Sequence, residues 1–124
     1  MALASSWFLG LRRSERGGRA PRAVYAFVIE TLRLLAPAMR EIALGDADLA
    51  RQMRRAASSI ALNTAEGAGN DGGHRRERFR TALGSAKETR SCLEVAAALD
   101  YVPLDSALID RLDRIAGTLY RLGH

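Results

Sequence analysis

Two clusters of small residues, set at similar distances on either side of a glycine-rich turn, constrain this chain more than any other feature. Ala56-Ala57-Ser58-Ser59 lies about ten residues before Gly67, and Ala82-Leu83-Gly84-Ser85-Ala86 lies a similar distance after a helix start expected at His74. At ~1.5 Å rise per residue, each cluster sits roughly 15 Å from the turn if both arms are helical. Folded back antiparallel, the clusters meet, and the axes can approach at the short end of the usual ~8–10 Å range. A glycine inside a helix normally costs ~0.5–1 kcal/mol against alanine, so Gly84 is expected to serve a close approach to Ala56 or Ala57.

Helical periodicity extends this hairpin on both sides. Pro21 suits a first helical position, and Val24, Tyr25, Val28, Leu32 and Leu35 recur with helical spacing. Pro37 is expected to kink or interrupt this first helix, whose continuation ends at Gly45. Asp46 then caps a second helix over 47–66, with a seam of Leu49, Met53, Ala56, Ile60 and Asn63 that puts a polar residue on the buried face. A third helix follows Asp71 or Gly73, carries Phe79, Ala82, Leu83, Ala86, Leu93 and Ala97 inward, and ends near Asp100. Pro103 opens a fourth, whose Leu108, Leu112, Ile115, Leu119 and Leu122 repeat by four and three. Period-two β-branched runs are absent. Four helices with short connections predict an all-α, antiparallel up-and-down four-helix bundle over 21–124. Phe27, Val28, Ile29, Leu32, Leu34 and Leu35 spread around most of the first helix, more than one core covers, which predicts burial against a second copy.

No apolar run approaches the ~20 residues needed to span a bilayer, and the single Cys92 cannot form an internal disulfide, which together suit a cytoplasmic protein. Residues 1–20 hold Trp7-Phe8-Leu9 followed by Arg12, Arg13, Arg16 and Arg19. The apolar part is too short for a signal sequence and its arginines follow rather than precede it, so the segment reads as an unstructured tail. The net charge of +5 is uneven: residues 51–80 carry seven Arg against Glu66, Asp71 and Glu77. These seven, Arg51, Arg54, Arg55, Arg75, Arg76, Arg78 and Arg80, are the candidate nucleic-acid contacts. Glu66 stands level with Arg75, and Glu88 with Arg54 and Arg55, so some of this charge is expected in interhelical pairs. On the fourth helix, Asp110 and Asp113 should balance Arg111 and Arg114.

Gly67-Ala68-Gly69-Asn70-Asp71-Gly72 satisfies the dinucleotide pattern G-x-G-x-x-G literally, but that chemistry needs a preceding strand, and here a helix precedes it. A glycine cap ending the second helix is the better reading. Ser59, Asn63, Ser85 and Glu88 resemble a polar site, yet His74 and His124 are the only histidines and Ser85 has no evident base. A hydrogen-bonded network that fixes helix register fits better than catalysis, and neither metal nor cofactor is implied.

The block Gln52, Arg55, Ala56, Ser59, Ile60, Asn63, Ala65, Glu66 and Gly67, followed by Phe79, Gly84, Ser85 and Glu88, resembles that of the small bacterial four helix bundle proteins encoded by intervening sequences of large-subunit ribosomal RNA genes. The resemblance runs from about Val24 to the C-terminus. It departs at the Asn70-Asp71-Gly72-Gly73 turn and in the leader. It implies an antiparallel four-helix subunit, cyclic pentamers, a structural role for Ser59, Asn63, Glu66, Gly67, Gly84, Ser85 and Glu88, and kinship with accessory subunits of retroelement reverse transcriptases. The expectation is therefore a non-enzymatic homo-oligomer that binds structured RNA through the arginines of its central hairpin. The alternative is a protein-interaction scaffold such as a reverse-transcriptase accessory subunit.

Overall fold

The computed structural model describes residues 19–69 and 72–124, so the leader through residue 18 and Asn70-Asp71 of the turn lie outside the described residues. Four helices follow one another: α1 Arg19–Gly45, α2 Ala47–Ala68, α3 His74–Ala98 and α4 Ser106–Gly123. Each packs on its neighbour in sequence, and α4 closes the square against α1. Cross-helix contacts fix the direction. Ser85 meets Ser59 near mid-helix and Arg78 meets Glu66 near the turn, Arg90 meets Asp113, and Arg111 meets Glu30, so successive helices run antiparallel. The fold is the expected all-α, up-and-down four-helix bundle.

Capping chemistry sets most of the boundaries. Asp46, the one non-helical residue between α1 and α2, accepts the Leu49 amide at 2.9 Å and so satisfies one orphan donor of α2. The end of α3 has the six-to-one and five-to-two bonds of a Schellman turn, Tyr101 N–H to the Ala96 carbonyl at 2.9 Å and Asp100 N–H to Ala97 at 3.0 Å, with Asp100 at φ 64°. Pro103 does not open α4. Asp105 does, accepting the amides of Ala107 at 3.0 Å and Leu108 at 3.2 Å, while Pro103 stands in the connection ahead of it.

Three further expectations are corrected. Pro37 does not interrupt α1, which runs unbroken for 27 residues. A mid-helix proline costs ~3 kcal/mol, but Leu35, Met39 and Ile42 are buried on both sides of it, and their packing holds the flanking turns in place. A glycine does cap α2, but it is Gly69, whose N–H donates to the Ala65 carbonyl at 3.1 Å; Gly67 lies inside the helix, buried, so α2 runs past Glu66 to Ala68. Its missing Cβ leaves room for the Phe79 ring, whose Cε1 would stand 2.7 Å from an added methyl. Gly84 makes no close approach to Ala56 or Ala57. It faces outward on α3, and nothing lies within 4 Å of its Cβ position.

The small-residue contact between α2 and α3 exists through other members of the clusters, since Ala56, Ala57, Ala82 and Ala86 are all buried. The core around them holds Val28, Leu35, Ile42, Met53, Ile60, Phe79, Leu112, Ile115 and Leu119. Periodicity missed three fully buried threonines, Thr31, Thr64 and Thr89. Each donates its hydroxyl to the carbonyl four residues back, at 2.7, 2.6 and 2.8 Å, which makes it an apolar neighbour with no unsatisfied donor.

Candidate nucleic-acid interface

Along the outer edge where α2 meets α3, polar side chains form a ladder. Glu88 accepts from Gln52 Nε2 at 3.3 Å. The Ser85 hydroxyl donates to Ser59 Oγ at 2.7 Å, and Asn63 Nδ2 reaches both Ser59 Oγ and the Ser59 carbonyl at 3.0 Å. Arg78 closes the ladder near the turn, with Nε 2.8 Å from Glu66 and Nη1 3.5 Å from Asn63 Oδ1. Asn63 is half-buried rather than buried, and it looks along this edge instead of into the core. The ladder has one hydroxyl-to-hydroxyl bond at its centre and an ion pair at one end, so sliding either helix by a turn breaks every rung that crosses from α2 to α3, while the Asn63–Ser59 bonds stay within α2.

Beside the ladder lies a shallow groove lined by Arg51, Arg54, Arg55, Ser58, Ser59, Leu62 and Asn63. Arg51 forms an ion pair with Asp48 one turn earlier, whereas Arg54 and Arg55 have no carboxylate in ion-pair range among the described residues. Glu88, expected opposite them, turns to Gln52 instead. The groove therefore presents two uncompensated guanidinium groups next to hydroxyl and amide side chains, a donor set suited to phosphate oxygens.

The seven candidate arginines do not form one patch. Arg78 reaches back to α2, and Glu66 pairs with it rather than with Arg75. Arg75 lies over the Phe79 ring, 5.5 Å from its centre. Arg80 leans the other way, and its Nε donates to the Gly123 carbonyl at 2.9 Å, where it offsets the partial negative charge at the end of α4. Arg76 is exposed, with no carboxylate in range among the described residues. Arg51, Arg54 and Arg55 share the α2 groove, while Arg75, Arg76, Arg78 and Arg80 surround the first turns of α3.

Residues 25–121 match the family described as 23S rRNA-intervening sequence protein. The chain belongs to that family. No curated protein and no solved structure matches it. The family match spans all four helices, so the ladder and the groove both lie inside the part of the chain that the 23S rRNA-intervening sequence proteins share.

One cationic side chain with a structural task was misread from the sequence. Arg111 is not balanced by Asp110 and Asp113. It crosses to α1, donating to Thr31 Oγ1 at 2.9 Å and to Glu30 at 2.5 Å, and its guanidinium lies 4.0 Å from the centre of the Phe27 ring. Arg114 stacks on the same ring at 4.7 Å, and Asp113 pairs with Arg90. No sequence signal distinguishes Arg111 from its neighbours, because its partners lie 80 positions away. Cys92 is buried, and its thiol is pushed above the ordinary value first by burial and then by the Glu88 charge, which disfavours the reactive thiolate. No group of three or more potential metal ligands occurs among the described residues, and His74 is an exposed side chain beside Glu77 at 3.2 Å. No described helix is long and apolar enough to cross a membrane.

Proposed function

We propose that this protein is a non-enzymatic, cytoplasmic, homo-oligomeric bundle that binds structured RNA through phosphate contacts on the α2 groove, assisted by the exposed arginines at the start of α3. The observation that carries this reading is the pair Arg54 and Arg55, with no carboxylate in ion-pair range among the described residues and adjacent to Arg51, Ser58, Ser59 and Asn63 in one groove. Exposed guanidinium groups without carboxylate partners keep their full charge for a polyanion. Aromatic stacking is not part of the mechanism: Phe79 is fully buried, and no other aromatic lies between Phe27 and Tyr101. Recognition should then be weakly selective for sequence, and should weaken as salt rises because each neutralised phosphate releases counterions.

The resemblance implies closed rings, most simply pentamers, and a ring would repeat the groove in every subunit, turning a weak monomer site into a multivalent surface. A protein-scaffold reading, such as a reverse-transcriptase accessory subunit, has one observation in its favour: Leu62, 68% exposed, lies among the groove arginines and suits an apolar contact from a protein partner.

Filter binding with structured RNA at low salt separates the two. Arg54→Glu with Arg55→Glu and Arg76→Glu should abolish retention, and Arg55→Glu alone should weaken it more than Arg40→Glu, a reversal at an exposed residue of α1 that does not line the groove. Absence of any affinity in the unaltered protein, or equal losses from Arg55→Glu and Arg40→Glu, would leave the scaffold as the better account.

A further inference from the structure

The two ends of the bundle differ in chemistry. The end built from the α1–α2 and α3–α4 connections gathers Asp46, Asp100 and Asp105, with Leu44, Leu99 and Leu104 standing 85%, 53% and 60% exposed. The two connections touch there: the Tyr101 hydroxyl donates to Asp46 Oδ2 at 3.5 Å, and its ring packs so closely on Gly45 that an added Cβ would stand 2.5 Å from Cδ1. Exposed leucines on rigid, mutually packed connections, bordered by carboxylates, form a surface that fits an apolar segment followed by cations.

This chain carries such a segment. Trp7-Phe8-Leu9 and Leu11 are followed at once by Arg12 and Arg13 and then by Arg16. We propose that the acidic, leucine-bearing end of the bundle docks the Trp7–Arg13 segment of a second copy of this chain. Geometry favours a second copy over the same one. The segment joins the bundle at Arg19, and 25 helical residues at ~1.5 Å each put Leu44 about 38 Å away along α1. The 12 residues from Trp7 to Arg19 span at most ~40–43 Å when fully extended, so reaching its own far end leaves almost no slack. A neighbour's end carries no such constraint. The contact joins unlike surfaces, and so leads to chains or closed rings according to the rotation between copies. It uses neither the α2 groove nor its arginines, so it stands independently of RNA binding.

Trp7 is the only tryptophan in the chain, which makes its fluorescence a direct probe of the docked segment. The full chain should show Trp7 emission moving to shorter wavelength as protein concentration rises, with higher salt shifting the transition to higher concentration. Leu44→Ser with Leu104→Ser, both at exposed positions, should move the transition to roughly hundred-fold higher concentration, about a factor of ten per leucine. Mixing that variant with a Trp7→Ala chain, whose leucine end is intact, should restore the shift, because one supplies the segment and the other the surface. Emission that stays at the solvent-exposed wavelength, or a transition unaltered by the leucine substitutions, overturns the proposal. A shift independent of concentration and not restored by mixing would assign the segment to its own chain and overturn the second-copy assignment.

Discussion

Gly67 and Phe79 give the sharpest test of how this bundle is held together. Replacing glycine by alanine inside an exposed helix normally stabilises by ~0.5–1 kcal/mol, because alanine restricts the unfolded chain and favours helix. At Gly67 the new methyl would stand 2.7, 2.9 and 3.0 Å from Cε1, Cδ1 and Cζ of the Phe79 ring. That ring is fully buried between Gly67 and the rest of the core and cannot yield as a flexible chain end would. Relieving three contacts of that kind requires a shift of α2 against α3, the most extensively packed pair in the fold. Overpacking of this order costs ~1–3 kcal/mol, so Gly67→Ala should be net destabilising by about 1–2 kcal/mol. For a domain of this size that corresponds to a fall of roughly 5–10 °C in Tm. Urea unfolding at fixed protein concentration, followed by circular dichroism, measures it as a lower midpoint with an unchanged slope. Gly67→Ala with Phe79→Leu should recover part of the loss. Equal or greater stability in Gly67→Ala would refute the steric account of why this position is glycine.

Gly84→Ala should do the opposite, raising stability by ~0.5–1 kcal/mol in the same urea assay, since nothing lies within 4 Å of the added methyl; a loss would mean that another subunit covers the site. Arg111→Ala should cost about 2 kcal/mol, as it removes charge-assisted bonds to Glu30 and Thr31 from a side chain only 19% exposed, and thermal unfolding should show it clearly beside a near-neutral Arg40→Ala. Ser59→Ala and Ser85→Ala should each cost ~1 kcal/mol but together less than the sum, because they share one hydroxyl-to-hydroxyl bond; additive losses in a double-mutant cycle would deny that the two are coupled. The thiol of Cys92 has its pKa raised in the folded state above the ordinary 9.0, so its contribution to stability is complete below that pH and is lost as pH rises through the folded value. Stability of the unaltered protein should thus fall more steeply above about pH 9 than that of Cys92→Ala, and native Cys92 should resist alkylation at neutral pH.

Helical period and capping residues, both local properties of the sequence, determine the bundle. A seam repeating by four and three can bury one side only as a helix, as in Leu108, Leu112, Ile115 and Leu119, and Asp46 carries its own reason for starting a helix. The hydrogen-bonded rungs among Ser59, Asn63 and Ser85 follow from residues three and four apart facing a partner at matched distance from a turn. The tertiary structure alone decided what individual glycines, prolines and arginines do. Gly67 and Gly84 are alike to any local rule, yet one touches an aromatic ring and the other nothing, because the rotation of each helix about its axis is fixed by the whole core. Pro37 is tolerated because packing on both sides outweighs a local defect. Arg80 and Arg111 became ties to α4 and α1, while Arg54 and Arg55 have no carboxylate in range among the described residues, because a long side chain finds its partner through space and its own sequence neighbours say nothing about which carboxylate or carbonyl will be within reach.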